Sequence, residues 1–189
     1  MRTIETVVYK FDELSDEAKQ KAIENLYALN VDHEWWDGTY EDAENIGLKI
    51  TAFDLGRASY VKGSFTQSAL DVAKRIIEEH GEQCGTYQSA KDYMAEYEKL
   101  IVEQCQDEAD MLCVPLDYDK YFGRIYYPEE YYSQDEIDTE DIDTEFLRSL
   151  CEDYRIILQN EYEYLTSEEA IVESIQSNEY EFTEEGELI

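Results

Sequence analysis

The chain has 189 residues, 43% of them hydrophobic, enough for one sizeable domain or two small ones around a core. Its 47 Asp and Glu against 15 Lys and Arg leave a formal net charge of -32, which excludes direct binding to nucleic acid or anionic membranes: both are polyanions held through Lys and Arg. The 17 Tyr, 6 Phe and 2 Trp exclude an ordinary disordered acidic tail, which would lack aromatic area to pack.

Thr3 to Phe11 alternates Ile4, Val7 and Tyr9 with polar neighbours and reads as a first strand. Ser15 is placed to cap a helix whose apolar positions Ala18, Ala22, Leu26 and Leu29 run to about Asn30, with acids in its first turn. A second helix is expected from His33 to Asn45 through Trp35, Trp36, Tyr40 and Ala43, stopped by Gly47. Leu48–Phe53 and Ser59–Phe65 alternate across a turn containing Gly56, which predicts a hairpin with one solvated face, paired with the first strand. Gln67 to His80 has helical spacing at Ala69, Leu70, Ala73, Ile76 and Ile77, with Gly81 as its C-cap.

A long helix follows from about Ser89, its stripe from Tyr93 through Leu112 ending before Pro115. Residues 116–143 are crowded with Tyr and acid, and Gly123 and Pro128 interrupt any long helix there. Helical spacing returns from Phe146 to Leu165. Ser167 then caps a short helix through Ile171 and Ile175, and Tyr180 and Phe182 alternate as a last strand returning to the N-terminal sheet. The expected fold class is α+β: a small antiparallel sheet (N-terminal strand, central hairpin, C-terminal strand) packed with several helices, one of them long. Residues 1–85 and 144–189 would form the core of a single domain, with 86–143 a variable helical and Tyr/acid-rich insertion.

The start MRTIETVVYKF has no run long enough for a signal peptide, and no later stretch approaches the roughly 20 apolar residues of a membrane span, so a soluble, cytoplasmic chain is expected. Cys84, Cys105, Cys113 and Cys151 have no CxxC or Cys/His ligand spacing and read as free thiols. Only His33 and His80 are present, and no Walker loop, GxGxxG or HExxH occurs. His33 reads as a helix-start residue packed on an aromatic and His80 as a complement to a helix C-terminus. Asp141, Asp143, Glu145 and Glu152 match the first, third, fifth and twelfth places of a calcium loop, but Phe146 stands where the turn needs Gly. No catalytic residue, cofactor or metal is expected, and the chain does not read as an enzyme.

The acid is concentrated in the second half: residues 1–100 hold 20 acids and 11 bases, residues 101–189 hold 27 acids and 4 bases. That field calls for a basic partner. The residues expected to meet it are Asp135, Glu136, Asp138, Glu140, Asp141 and Asp143, with Tyr126, Tyr127, Tyr131 and Tyr132 supplying rigid apolar area beside the carboxylates. On a helix, acids three or four residues apart lie about 5–6 Å from one another, comparable with phosphate steps along a nucleic-acid strand.

Two blocks carry a family resemblance. TIETVVYKFDELSDEAKQKAIENL with HEWWDGTYEDAENIGLKITAFDL, and EFLRSLCEDYRIILQNEYEYLTSEEAIVESIQSNEYEFTEEG, resemble a family of small acidic proteins of phages and prophages, some labelled antitoxin-like. The resemblance implies a shared fold over about half the chain, host-cell cytoplasm as its location, and no catalytic residues. In composition the chain is also similar to phage anti-restriction and anti-CRISPR proteins that mimic DNA with folded acidic surfaces. The expected function is therefore a DNA-mimic inhibitor occupying the DNA- or RNA-binding groove of a host defence protein. An antitoxin-like protein that covers a basic toxin is the alternative, and a homodimer remains open.

Overall fold

The computed structural model of the chain describes residues 7–112, 117–119, 124–126 and 138–189. In chain order the elements are β1 (Tyr9–Lys10), a 3-10 turn (Phe11–Glu13), α1 (Asp16–Asn25), α2 (Asp37–Asn45), β2 (Leu48–Asp54) and β3 (Tyr60–Phe65). They continue with α3 (Ala69–Glu79), α4 (Gly85–Leu112), β4 (Asp117–Asp119), β5 (Arg124–Tyr126), α5 (Glu140–Leu165), α6 (Glu168–Ser177) and β6 (Glu181–Phe182). The class is α+β. The chain divides into two units, Met1–Glu41 with Ile156–Ile189, and Asp42–Arg155.

The single sheet anticipated from the strand pattern is replaced by separate antiparallel pairs, β1 with β6, β2 with β3, and β4 with β5. The last strand does return to the first, Tyr9 lying opposite Phe182 and Lys10 opposite Glu181. Among the described residues the hairpin pairs only within itself: strand pairing is non-local, and alternation reports which face is buried but not which edge is matched. Of the expected first strand, Ile4 lies outside the described residues.

In the first unit, Phe11, Leu14, Ala18, Ala22 and Ile23 close on Ile171, Ile175 and Phe182 as one apolar cluster. Phe11 and Phe182 meet edge-on, centroids 6.2 Å apart. Ser15 Oγ accepts the Ala18 N–H at 3.2 Å and Ser167 Oγ the Ala170 N–H at 3.3 Å, so both sequence-marked caps form. Ser15→Ala and Ser167→Ala should each lower stability by about 1 kcal/mol in urea unfolding, whereas an effect below a few tenths would mean that water replaces the cap. Helix α1 stops five residues before Asn30, giving way to turns in which the Leu29 N–H bonds the Leu26 carbonyl. That unwinding keeps Leu26 and Leu29 against the cluster and lets Asn30 donate to the Leu165 carbonyl and accept from the Ser174 hydroxyl.

Helix α2 likewise starts at Asp37, four residues after His33, whose side chain is 64% exposed and not packed as a helix-start residue. Trp35 instead packs edge-on against Trp36 and tilted against Tyr162.

In the second unit, Gly47 ends α2 with φ +90°, the left-handed geometry a helix stop requires, and its carbonyl accepts from both the N–H and the hydroxyl of Thr66. The start of β2 buries Leu48 and Ile50 and exposes Lys49 and Thr51, the one-sided alternation expected. On α3, Ala69, Val72, Ala73 and Ile76 form one buried stripe. Gly81 does not cap this helix; His80 does, in extended geometry, with its N–H on the Ile76 carbonyl.

Helix α4 starts four residues before Ser89. Helix α5 starts six residues before Phe146, drawing Glu140, Asp141 and Asp143 out of the expected insertion and making it comparable in length with α4. Three acids in the first turn of α5 suit the positive end of the helix dipole. No helix among the described residues is long and apolar enough to cross a membrane.

Candidate partner-binding surface

Of the ten residues expected to meet a partner, Asp135, Glu136, Tyr127, Tyr131 and Tyr132 lie outside the described residues. Tyr126 belongs to β5, opposite Asp117 in β4. Asp138, Glu140 and Asp141 are exposed at the start of α5, where Asp138 Oδ1 accepts the Glu140 N–H at 3.2 Å. Asp143 is committed inward: its carboxylate accepts the Tyr93 hydroxyl at 2.7 Å and the Thr139 hydroxyl at 2.9 Å.

That arrangement recurs through the second unit. Tyr154, fully buried on α5, donates to Asp42 Oδ2 at 2.7 Å, and Ser89 on α4 donates to Asp153 Oδ2 at 2.6 Å. A chain with so few bases thus holds partly buried carboxylates with hydroxyls, which neutralise no charge but satisfy the oxygens. His80 joins this network, its Nδ1 2.7 Å from Thr86 Oγ1 and its Nε2 3.7 Å from Asp42 Oδ1. Thr86 is 2% exposed, so the Asp42, His80 and Thr86 grouping ties α2, α3 and α4 together and offers no hydroxyl to a substrate. Nothing in the spacing of these residues announces the grouping.

The hydroxyl bonds make the fold sensitive to alkali. Burial, and then the Asp143 and Asp42 carboxylates they face, hold the Tyr93 and Tyr154 hydroxyls well above their ordinary pKa of 10.0. Unfolded tyrosines ionise near the ordinary value, so above about pH 10 the folded chain binds more protons than the unfolded one. The stability these groups contribute is complete below that pH and is lost as pH rises through the folded values. The urea midpoint should therefore fall between about pH 9.5 and 11.5, and fall more gently in Tyr93→Phe/Tyr154→Phe, whose midpoint at neutral pH is lower. Equal slopes in the two chains would refute the assignment.

On the solvent side of α5 the acids are partly neutralised. Arg148 Nη1 lies 2.6 Å from Glu145, and Arg155 donates twice to Glu152, at 2.8 and 2.7 Å, which lowers the Glu152 pKa. The calcium-loop frame at Asp141, Asp143, Glu145 and Glu152 lies wholly within this helix, so the turn such a loop needs is absent.

After Arg155 the balance changes. Residues 156–189, in the first unit, contain ten acids and no Lys or Arg. Glu168, Glu169 and Glu173 stand exposed on α6, whose opposite face buries Ala170, Ile171 and Ile175. Lys10 approaches Glu181 at 3.6 Å and Lys21 approaches Glu187 at 3.1 Å. The exposed acids of α6 form a second candidate surface beside the one expected at 126–143, half of whose named residues lie outside the described residues. Its signal in the sequence is the base-free composition of the last segment.

A second acidic feature is concave. In the second unit α4 and α5 leave a groove of about 120 Å³ lined by Asp92, Glu96 and Glu145 over Tyr93 and Phe146. Its signal in the sequence was an Asp and a Glu one helical turn apart with a Tyr between them. Comparison with family models, with curated proteins and with solved structures finds no match.

Proposed function

We propose that the chain is an inhibitor of DNA-mimic type, which occupies the nucleic-acid-binding groove of a basic host defence protein of a restriction, CRISPR or related system. The observation that carries this reading is the base-free stretch 156–189 with Glu168, Glu169 and Glu173 exposed on one helix. Like charges four residues apart on a helix destabilise it by about 0.2–0.5 kcal/mol per pair, and no base on α6 offsets Glu169 and Glu173. A basic groove that normally neutralises phosphates would offset them, and because a helix already fixes the backbone that carries the carboxylates, only their side chains are ordered on binding. The choice of a defence protein as target rests on the resemblance to phage and prophage proteins.

The test is inhibition of DNA cleavage by restriction and CRISPR nucleases. Excess duplex DNA lacking the cleavage site should relieve the inhibition, and added salt should weaken it, as it weakens DNA binding. Inhibition that excess DNA leaves untouched would rule out occupation of the DNA groove. A tight complex with a small basic toxin, indifferent to DNA, would favour the antitoxin-like alternative.

A further inference from the structure

Three outward acids, Asp92, Glu96 and Glu145, border the groove between α4 and α5. Its volume of about 120 Å³ equals about four waters at roughly 30 Å³ each, room for the head and part of the stem of one long side chain. Tyr93 and Phe146 form the floor, 4% and 3% exposed and stacked with centroids 4.5 Å apart. Asp92 and Glu96 stand on the α4 wall and Glu145 on the α5 wall. Gln88 donates to Asp92 at 2.7 Å, and Arg148, its side chain 72% exposed, reaches Glu145 without lining the groove. Neither Asp92 nor Glu96 has an ion-pair partner among the described residues.

We propose that this groove receives one arginine side chain of the basic partner, an inference that rests on the proposed function only in requiring that partner to be basic. Charge complementarity selects a cation, and the geometry selects which. A bound calcium or magnesium needs oxygens converging to about 2.0–2.6 Å, and among the described residues no three His, Cys, Asp or Glu side chains are grouped to hold a metal. A guanidinium spreads five donors around a plane, so one group can face carboxylates on both walls at once. A lysine ammonium gathers three donors at one point and serves one wall at a time.

The full chain, labelled with ¹⁵N, is titrated with N-acetyl-arginine N-methylamide and separately with the lysine and norleucine counterparts. The arginine probe should shift the amides of Ser89, Tyr93, Ile142 and Ser149 saturably, and the lysine probe should bind at least about fivefold more weakly. Glu96→Gln should weaken the arginine probe about tenfold, whereas Glu78→Gln, exposed on α3, should leave its affinity within about twofold. Unsaturable shifts spread over all acidic segments, equal affinity for arginine and lysine, or an unchanged affinity in a folded Glu96→Gln chain would overturn the groove. A DNA-binding protein that is inhibited equally by Glu96→Gln and by the parent chain would overturn the groove alone. Failure of every nuclease to be inhibited, with the arginine probe still bound, would overturn the DNA-mimic reading alone.

Discussion

Replacing Glu168, Glu169 and Glu173 together by lysine is expected to weaken binding to the basic target by at least about 100-fold, abolishing inhibition, while the chain stays folded. Coupling across an interface runs from about 1.5 to 7 kcal/mol for close charge pairs, and reversal replaces each attraction by a repulsion of similar size. Even at about 0.5 kcal/mol for an exposed pair, loss of the attraction plus gain of the repulsion makes about 1 kcal/mol per site, so three sites amount to about 3 kcal/mol, and each 1.4 kcal/mol is a factor of ten. The fold should survive, because Ala170, Ile171 and Ile175 carry the packing of α6 and none of the three glutamates is buried. Lysines in the first turn oppose the helix dipole by about 0.3–1 kcal/mol each, but the reversal also lowers the net repulsion of a chain at -32. Circular dichroism checks the fold and titration of the inhibited nuclease reads the affinity. Undiminished inhibition by the triple variant would remove α6 from the contact surface.

Gly186→Ala should have the largest effect on stability. Gly186 is buried with φ +79° in the turn where its N–H bonds the Thr183 carbonyl at 3.0 Å, and a Cβ there would run into the backbone carbonyl of Ala18. The left-handed conformation costs a non-glycine residue about 1–2 kcal/mol and overpacking a further 1–3, so a loss of about 3 kcal/mol is expected. Domains have only about 5–15 kcal/mol in total. Gly38→Ala is the opposing control: nothing lies within 4 Å of its added Cβ and it sits in the first turn of α2, so it should gain about 0.5–1 kcal/mol. Trp35 and Trp36 belong to the same unit as both glycines, so tryptophan fluorescence in urea reports the two changes directly. A Gly186→Ala chain within 1 kcal/mol of the parent would show that the C-terminal turn relaxes freely.

Local chemistry was legible in the sequence where a short stretch decides the outcome. Ser15 and Ser167 mark helix starts because a hydroxyl reaches an amide three residues on, and Gly47 marks a stop because only glycine enters the left-handed region without strain. The stripe Ala69, Val72, Ala73 and Ile76 and the alternation of β2 likewise report burial directly. The starts of α4 and α5 were misplaced because they depend on partners far along the chain. Asp143 belongs to α5 while answering to Tyr93, and Asp153 on α5 answers to Ser89 near the start of α4.

For function, the same division holds. Sequence alone determined that the chain is acidic and aromatic, since net charge and side-chain inventory are sums over residues and do not depend on how they are arranged. Only the tertiary structure decided which carboxylates face outward. It turned Asp143 and Asp153 toward hydroxyls, paired Glu145 and Glu152 with arginines, left Glu168, Glu169 and Glu173 exposed, and set Glu96 at the rim of a groove. A carboxylate's role depends on its burial and on what lies within about 3 Å of it, and those neighbours come from elements that share no sequence neighbourhood.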